Sequence, residues 1–275
     1  MSALHVEVDE AEGRAVADIV LIHGWGLHGG VWDEVAADLT AAGFRVWRVD
    51  LPGHGASPFE AVGQSAAGPQ DYSLGALAAA VVGALAGRLP GPAWWLGWSL
   101  GGLVALQVAL DHSDRVAGLV TVATTPRFAA TSDWECAVDP EVLAGFASDL
   151  ARDYRATLLR FLALQARGGE HAREDVRRLR ERVFARGEPD RRALRGGLDI
   201  LAQTDLRPRL AEVAVPVLAL GGDRDTLVPP AAISALAQAL PHGQAVIIRG
   251  AGHAPFISDR KAFVTTVKRF IHARH

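Results

Sequence analysis

The residues of this chain best placed to do covalent chemistry are a serine, an aspartate and a histidine, each set in a glycine-bounded turn. Ser99 lies in Gly97-Trp98-Ser99-Leu100-Gly101, with a glycine at each second neighbour. The apolar run Ala93 to Leu96 enters this motif as a buried strand, and Leu103, Leu106, Val108, Ala109 and Leu110 leave it with the density of a buried helix. A strand, a tight turn and a helix form the setting that presents a nucleophilic serine in strained backbone, and glycines serve where chains pass too close for a side chain. The pentapeptide alone is a weak signal in a chain with 29 glycines, so the reading depends on partners elsewhere.

A serine hydroxyl is a poor nucleophile near neutral pH and needs a histidine to take its proton, with a carboxylate to hold that histidine in the right tautomer. His253, in Gly250-Ala251-Gly252-His253-Ala254-Pro255-Phe256, follows the apolar run Ala245 to Ile248. Asp225, in Gly221-Gly222-Asp223-Arg224-Asp225-Thr226-Leu227-Val228-Pro229, follows the preceding run. Asp223 competes for the acid role, but a carboxylate three residues past Gly222 and four before Pro229 suits the loop better. Nucleophile, acid and base then come in the order Ser, Asp, His, each after a strand, where open parallel sheets place their sites. Two donors are needed for the oxyanion that follows attack. The Leu100 amide, at a helix start, is one. The Trp25 amide, in His23-Gly24-Trp25-Gly26, is the other expected donor, and Trp98 is expected to wall the scissile ester. His23 is read as organising this loop through hydrogen bonds, Asp50 as buttressing the turn Leu51-Pro52-Gly53-His54-Gly55, and His28, His54, His112, His171, His242, His272 and His275 as surface or loop residues.

The elements that must position these groups are short apolar runs separated by helix-like or Gly/Pro-rich connections: Ala17 to Ile22, Phe44 to Val49, Ala93 to Leu96, Val116 to Val122, Val215 to Leu220 and Ala245 to Ile248. Such alternation implies an α/β fold, a mostly parallel sheet wrapped by helices. Residues 126–203 show no convincing strand and read as a helical cap inserted into a core of 1–125 and 204–275. In it, Tyr154, Leu158, Phe161, Leu162 and Gln165 recur at helical spacing, an apolar face with a glutamine set into it. Arg173, Arg177 and Arg180 form one stripe on another expected helix. The stretch from Phe59 to Asp71 has no periodicity and reads as a flexible surface loop.

Composition narrows the function classes. The 275 residues are 49% hydrophobic and 21% charged, ordinary for a globular protein. Cys136 is the single cysteine, which excludes an internal disulfide and a Cys-rich metal site and fits a reducing, cytoplasmic setting. The first dozen residues are acid-rich with no apolar core, unlike a leader peptide, and no apolar run reaches the roughly eighteen residues of a membrane span. Net charge is -3, with no general signal for nucleic acid. The charge is uneven, since residues 152–195 hold thirteen arginines against seven acids. From charge alone a solvated helix face explains that excess.

With these motifs the chain resembles the α/β-hydrolase superfamily and, within it, the BioH family of pimeloyl-acyl-carrier-protein methyl ester esterases of biotin synthesis. The resemblance spans nearly the whole chain. It is carried by Trp95-Leu96-Gly97-Trp98-Ser99-Leu100-Gly101-Gly102-Leu103-Val104-Ala105, the cap run Arg160-Phe161-Leu162-Ala163-Leu164-Gln165, Gly196-Gly197-Leu198 and His253-Ala254-Pro255-Phe256-Ile257-Ser258. It implies a monomeric cytoplasmic serine esterase without metal or other cofactor. Ser99, Asp225 and His253 match the family triad, Trp25 and Leu100 its substrate-oxygen contacts, and Phe161, Leu162, Ala163, Leu164 and Gln165 its acyl pocket. Arg160, Arg173 and Arg177 fall where the family docks its acidic acyl-carrier protein. Ala156 departs from the pattern, standing where an arginine is expected, with Arg152 and Arg155 nearby. A short-chain carboxylesterase or thioesterase without carrier specificity, a carbon-carbon bond hydrolase and a catalytically silent ligand-binding protein share much of this pattern. A haloalkane dehalogenase does not, because its elbow carries a carboxylate.

Overall fold

The computed structural model describes residues 4–62, 72–165 and 172–274. Seven strands form one sheet in the order β1-β3-β2-β4-β5-β6-β7. They are β1 (Val6–Asp9), β2 (Asp18–Ile22), β3 (Arg45–Val49), β4 (Ala93–Trp98), β5 (Val116–Val122), β6 (Val217–Gly222) and β7 (Gly243–Ile248). All neighbours are parallel except β1, which runs antiparallel to β3. The six expected runs are the six parallel strands, with ends shifted by up to two residues. β1 escaped the sequence reading because Val6-Glu7-Val8-Asp9 is a four-residue edge strand, half polar, with no apolar run to mark it.

β4 and β6 are buried on both faces, as expected of continuous apolar runs in the middle of a parallel sheet. Helices cover them on both sides: α1 (Asp33–Thr40), α2 (Leu74–Leu85), α3 (Leu100–Asp111), α8 (Pro230–Ala239), the short α9 (Pro255–Ser258) and α10 (Arg260–His272). α3 is apolar nearly all round and lies inside, against β4, β5 and α2. Between β5 and β6 come four further helices, α4 (Pro140–Arg152), α5 (Tyr154–Gln165), α6 (Ala172–Val183) and α7 (Arg191–Gln203). Asp139 and Asp190 cap α4 and α7, their side chains accepting from the amides of Glu141 and Arg192. α6 is charged over most of its length and turns Asp175 and Leu179 inward. No helix among the described residues is long and apolar enough to cross a membrane.

The start of the stretch read as a surface loop is in fact pinned. Phe59 is buried in a single 3-10 turn, its ring stacked on Tyr72 at 5.4 Å, and Arg192 lies 4.0 Å over it. Tyr72 donates to the Pro52 carbonyl at 2.9 Å. Aromatic partners more than ten residues apart left no periodic trace in the sequence. Residues 63–71 lie outside the described residues.

At the end of β4 the chain reverses into α3 through Ser99, at φ 55° and ψ -118°. The turn is possible because β4, α3 and the end of β2 approach within backbone contact. A Cβ on Gly97 would lie 2.1 Å from the Gly101 carbonyl oxygen, and one on Gly101 would lie 2.4 Å from that of His23. Backbone cannot retreat as a flexible side chain can. Gly97→Ala should therefore cost about 3 kcal/mol of unfolding free energy, at the upper end of overpacking effects. Urea unfolding measures this, and a loss below about 1 kcal/mol would show that the turn has room to spare.

Candidate active site

Strand order explains why distant residues meet. The loops after β2, β4, β6 and β7 carry Trp25, Ser99, Asp225 and His253, and all leave the carboxyl edge of the same parallel sheet. β2 and β4 are neighbours, which sets the Trp25 loop beside the Ser99 turn. β6 and β7 are neighbours, which sets Asp225 beside His253. His253 Nδ1 lies 2.8 Å from Asp225 Oδ2. Asp225 Oδ1 accepts from the amides of Leu227 at 2.8 Å and Val228 at 2.9 Å, so the carboxylate faces three donors in a fixed direction. A carboxylate acceptor requires the proton on Nδ1 and leaves the Nε2 lone pair free. Nε2 is buried and finds no hydrogen-bond partner among the described residues. Ser99, Asp225 and His253 are 1%, 4% and 1% exposed, so the site is closed to solvent.

Asp223 holds the histidine loop instead. Its Oδ1 accepts from the Gly250 amide at 2.6 Å. The Ser99 carbonyl accepts from the Gly102 amide at 2.9 Å and from the Thr124 hydroxyl. Leu100 opens α3, where helical geometry leaves the first amides unpaired. Among the described residues neither the Leu100 nor the Trp25 amide donates to another group of the protein, so both remain available to an anion. Trp98 is fully buried, and its Nε1–H donates to the His253 carbonyl at 2.8 Å. The sequence had suggested no such bond.

His23 supports the Trp25 loop from behind, its Nδ1–H donating to the Gly24 carbonyl at 2.8 Å and its Nε2 accepting from the Leu51 amide at 2.9 Å. Asp50 ties the next turn, accepting from Gly29 at 2.6 Å and Ala56 at 2.9 Å. His28 and His54 are not surface residues. His54 is fully buried with its ring 5.2 Å from His23, and its Nε2 has no hydrogen-bond partner among the described residues. His28 is buried where the end of α6 meets the loop after β2, with Nε2–H donating to the Arg182 carbonyl at 2.7 Å and Nδ1 accepting from Gly30 at 3.1 Å. Arg182 returns the contact by donating to the Val31 carbonyl at 2.9 Å. Histidine in a Gly-rich turn looks solvated in sequence, and only the chain packed over it decides otherwise. His171 and His275 lie outside the described residues.

The helices between β5 and β6 reach the site through Trp25. Its ring is fully buried, with Nε1–H donating to the Leu194 carbonyl of α7 at 2.7 Å and its face met edge-on by Phe161 of α5 at 4.8 Å. α7 can lie this close because residue 197 is glycine, where a Cβ would stand 2.5 Å from the Trp25 ring. Phe161 and Leu162 point inward and are buried, whereas Ala163 and Leu164 line a groove of about 510 Å³ between α4 and α5 with Val142, Gly145, Phe146, Asp149 and Arg160. Phe146 bridges the two, lining the groove while its ring packs edge-on against Phe161 at 5.3 Å. The side chain of Gln165 lies outside the described residues.

The three arginines stand on two helices, Arg160 on α5 and Arg173 and Arg177 on α6. Arg160 is bonded to Asp149, and Arg177 to Glu174 at 2.6 Å and Glu181 at 2.5 Å along its own helix. Arg173 is exposed on α6, with no ion pair among the described residues. Near Ala156, Arg155 pairs with Glu188 and lies 5.1 Å over the Phe184 ring, and Arg152 reaches Asp149 at 3.7 Å. Among the described residues no cluster of three His, Cys, Asp or Glu is placed to hold a metal ion.

A sheet of this order, with a serine at positive φ after β4 and a bonded Asp–His pair after β6 and β7, defines a hydrolase of the α/β type. The chain belongs to the alpha/beta hydrolase fold family, whose model matches residues 19–259. It is 45% identical over 254 residues to a pimeloyl-[acyl-carrier protein] methyl ester esterase of Aeromonas hydrophila, covering 92% of this chain and 95% of that one. A protein of the same description from Xanthomonas campestris is 46% identical over 255 residues, covering 93% and 95%. Among solved structures, an enol-lactonase from Burkholderia xenovorans LB400 superposes with a TM-score of 0.81 at 26% identity, covering 98% and 96%.

Two expectations follow from this geometry. Asp225→Asn keeps an acceptor for the loop amides but removes the charge that holds the proton on His253 Nδ1, so kcat should fall by about 10⁴ with the fold retained. Ester hydrolysis with a circular dichroism check tests this, and a loss under tenfold would detach Asp225 from the chemistry. Burial pushes the His23 and His54 rings down to about 3. Both rings are neutral when folded and take up protons below about pH 6.5 when unfolded, so stability is full above that pH and falls as pH drops towards 3. The slope contributed is about 1.4 kcal/mol per pH unit for each ring. Urea unfolding between pH 7.5 and 4.5 should show the decline, and His54→Gln should flatten it by one ring's share. An unchanged slope in that variant would mean His54 titrates alike in both states.

Proposed function

We propose that this chain is a serine carboxylesterase that hydrolyses the methyl ester of a pimeloyl group borne on acyl-carrier protein, releasing methanol and a free carboxylate in biotin synthesis. The observation that carries the reaction class is the Asp225–His253 bond, which leaves a lone pair on Nε2 at the same sheet edge as the Ser99 turn. Support for the substrate comes from relatives of that description, 45% to 46% identical across more than nine-tenths of the chain.

In this reading Ser99 Oγ attacks the ester carbonyl while His253 Nε2 takes its proton, and Asp225 stabilises the imidazolium that forms. The amides of Trp25 and Leu100 bind the oxyanion. His253 then gives its proton to the methoxy oxygen as the carbon–oxygen bond breaks, so methanol leaves, and water repeats the sequence to free the carboxylate and regenerate Ser99. Residues 126–203 act as the cap. Phe161 and Leu162 line the inner acyl pocket, while Ala163 and Leu164 continue it into the α4–α5 groove. The acyl chain passes Phe161, whose ring separates that groove from Trp25. Arg160, Arg173 and Arg177 meet carboxylates of the carrier. Arg160 and Arg177 do so by exchanging Asp149, Glu174 and Glu181 for carrier acids, one solvent-exposed pair replacing another. The enzyme acts as a cytoplasmic monomer.

Kinetics on two substrates test the proposal. The carrier-bound pimeloyl methyl ester should be hydrolysed with kcat/KM at least tenfold above free dimethyl pimelate, an advantage that shrinks with added salt and with joint replacement of Arg160, Arg173 and Arg177. Equal values for the two substrates would leave a general carboxylesterase. Ser99→Ala should lose activity by orders of magnitude and fail to rescue a biotin-requiring strain that lacks its methyl ester esterase.

A further inference from the structure

Trp98 touches three of the four loops of the site, those of Trp25, Ser99 and His253. It immediately precedes Ser99 in the chain, and its Nε1–H donates to the His253 carbonyl at 2.8 Å. Its ring packs against the loop that carries Trp25, where a Cβ on Gly24 would lie 3.1 Å from the indole and 3.4 Å from Ser99 Cβ. The ring is fully buried, met edge-on by Phe256 at 5.0 Å and lying 5.9 Å from the His253 ring.

His253 sits in irregular backbone between β7 and α9. Among the described residues the bond from Trp98 is the one hydrogen bond made to its main chain. The side chain has its own anchor, Nδ1 to Asp225 at 2.8 Å. A ring held at Nδ1 alone can pivot about that bond and carry Nε2 through an arc. A second anchor at the carbonyl removes this freedom. Because the second anchor belongs to the residue bonded to Ser99, it ties the base to the nucleophile's own turn. A buried indole N–H needs an acceptor and a buried carbonyl needs a donor, so each group answers the other's desolvation.

We propose that Trp98 is a positioning residue of the reaction: its indole N–H, fixed in the Ser99 turn, sets where His253 Nε2 stands relative to Ser99 Oγ. The role rests on the triad assigned above and is independent of which ester is the substrate. It also accounts for glycine at position 24, where any side chain would press on the indole and shift both the base and the Trp25 amide.

Trp98→Phe keeps an apolar ring and removes the donor. For both the carrier-bound and a free methyl ester, kcat should fall about 10- to 100-fold with KM unchanged within about threefold, the pattern of an interaction that serves the transition state and not binding. The rate of Ser99 labelling by a fluorophosphonate should fall by the same factor, since labelling needs the same proton transfer without the acyl pocket. Phe256→Leu removes the neighbouring ring and keeps the N–H, so it should lower the melting temperature and leave kcat within about threefold. Should Trp98→Phe fail to fold, replacing the residue with benzothienylalanine keeps the indole's shape, puts sulfur in place of N–H, and should give the same loss. A kcat within threefold of the parent in either Trp98 variant overturns the proposal, as does a loss in Phe256→Leu equal to that in Trp98→Phe. Ser99→Ala measured alongside separates the two claims: residual activity there removes the triad reading itself, whereas its inactivity beside a fully active Trp98→Phe removes only the role of Trp98.

Discussion

Backbone meets backbone where β4 turns into α3, and the lack of room there governs the rest of the molecule. A side chain at Gly97 would overlap the Gly101 carbonyl, and one at Gly101 would overlap those of Ile22 and His23. With β2, β4 and α3 in such contact, the residue between them has one path, and Ser99 follows it at φ 55°. Strain of this kind costs on the order of 1–3 kcal/mol and persists only where surrounding structure over-determines it. Here that structure is the fully buried β4 and nearly all of α3, together with bonds from Ser99 N to the Val122 carbonyl and to the Ser99 carbonyl from Gly102 and Thr124.

The acid and base loops are built differently, by hydrogen bonds and not by close packing. Asp223 fixes the Gly250 amide, Asp225 gathers Leu227, Val228 and His253, and Trp98 takes the His253 carbonyl. Two aspartates two residues apart thus have different work. One shapes the loop and the other faces the imidazole. Beneath them, His23 and His54 are kept neutral by burial, and among the described residues the buried Nε2 atoms of His54 and His253 find no hydrogen-bond partner. What distinguishes His253 is the carboxylate on its other nitrogen.

The helices over the site are joined to it by few but specific contacts. Trp25 is gripped by Leu194 and Phe161, and His28 and Arg182 exchange bonds with each other's main chain or neighbours. On its outer face α6 satisfies much of its own charge, as the Glu174–Arg177–Glu181 chain shows. The arginine excess that stands out in composition is therefore partly spent inside the protein, and the net surface field is weaker than a count of arginines implies.

Much was legible in the chain itself. Six strands announced themselves as apolar runs, because strands buried on both faces need little else. Ser99, Asp225 and His253 could be singled out as candidates because glycines crowd wherever backbone must pass close, and because the chain order of such groups reflects the order of strands. Other features were settled only by folding. The edge strand β1 is too short and too polar to mark itself. Phe59 is buried because Tyr72 and Arg192 come to it from elsewhere. His28 and His54 are indistinguishable in sequence from solvated turn residues until α6 and the Trp25 loop close over them. The run Phe161 to Gln165 read as one lining, yet Phe161 meets Trp25 while Leu164 lines the groove between α4 and α5, a difference set by what packs against α5. The bond from Trp98 to His253 joins residues 155 apart. Local chain chemistry specifies turns and runs, since those depend on neighbours within a few residues. Which donor finds which acceptor across the sheet depends on strand order and packing, and that is decided only in three dimensions.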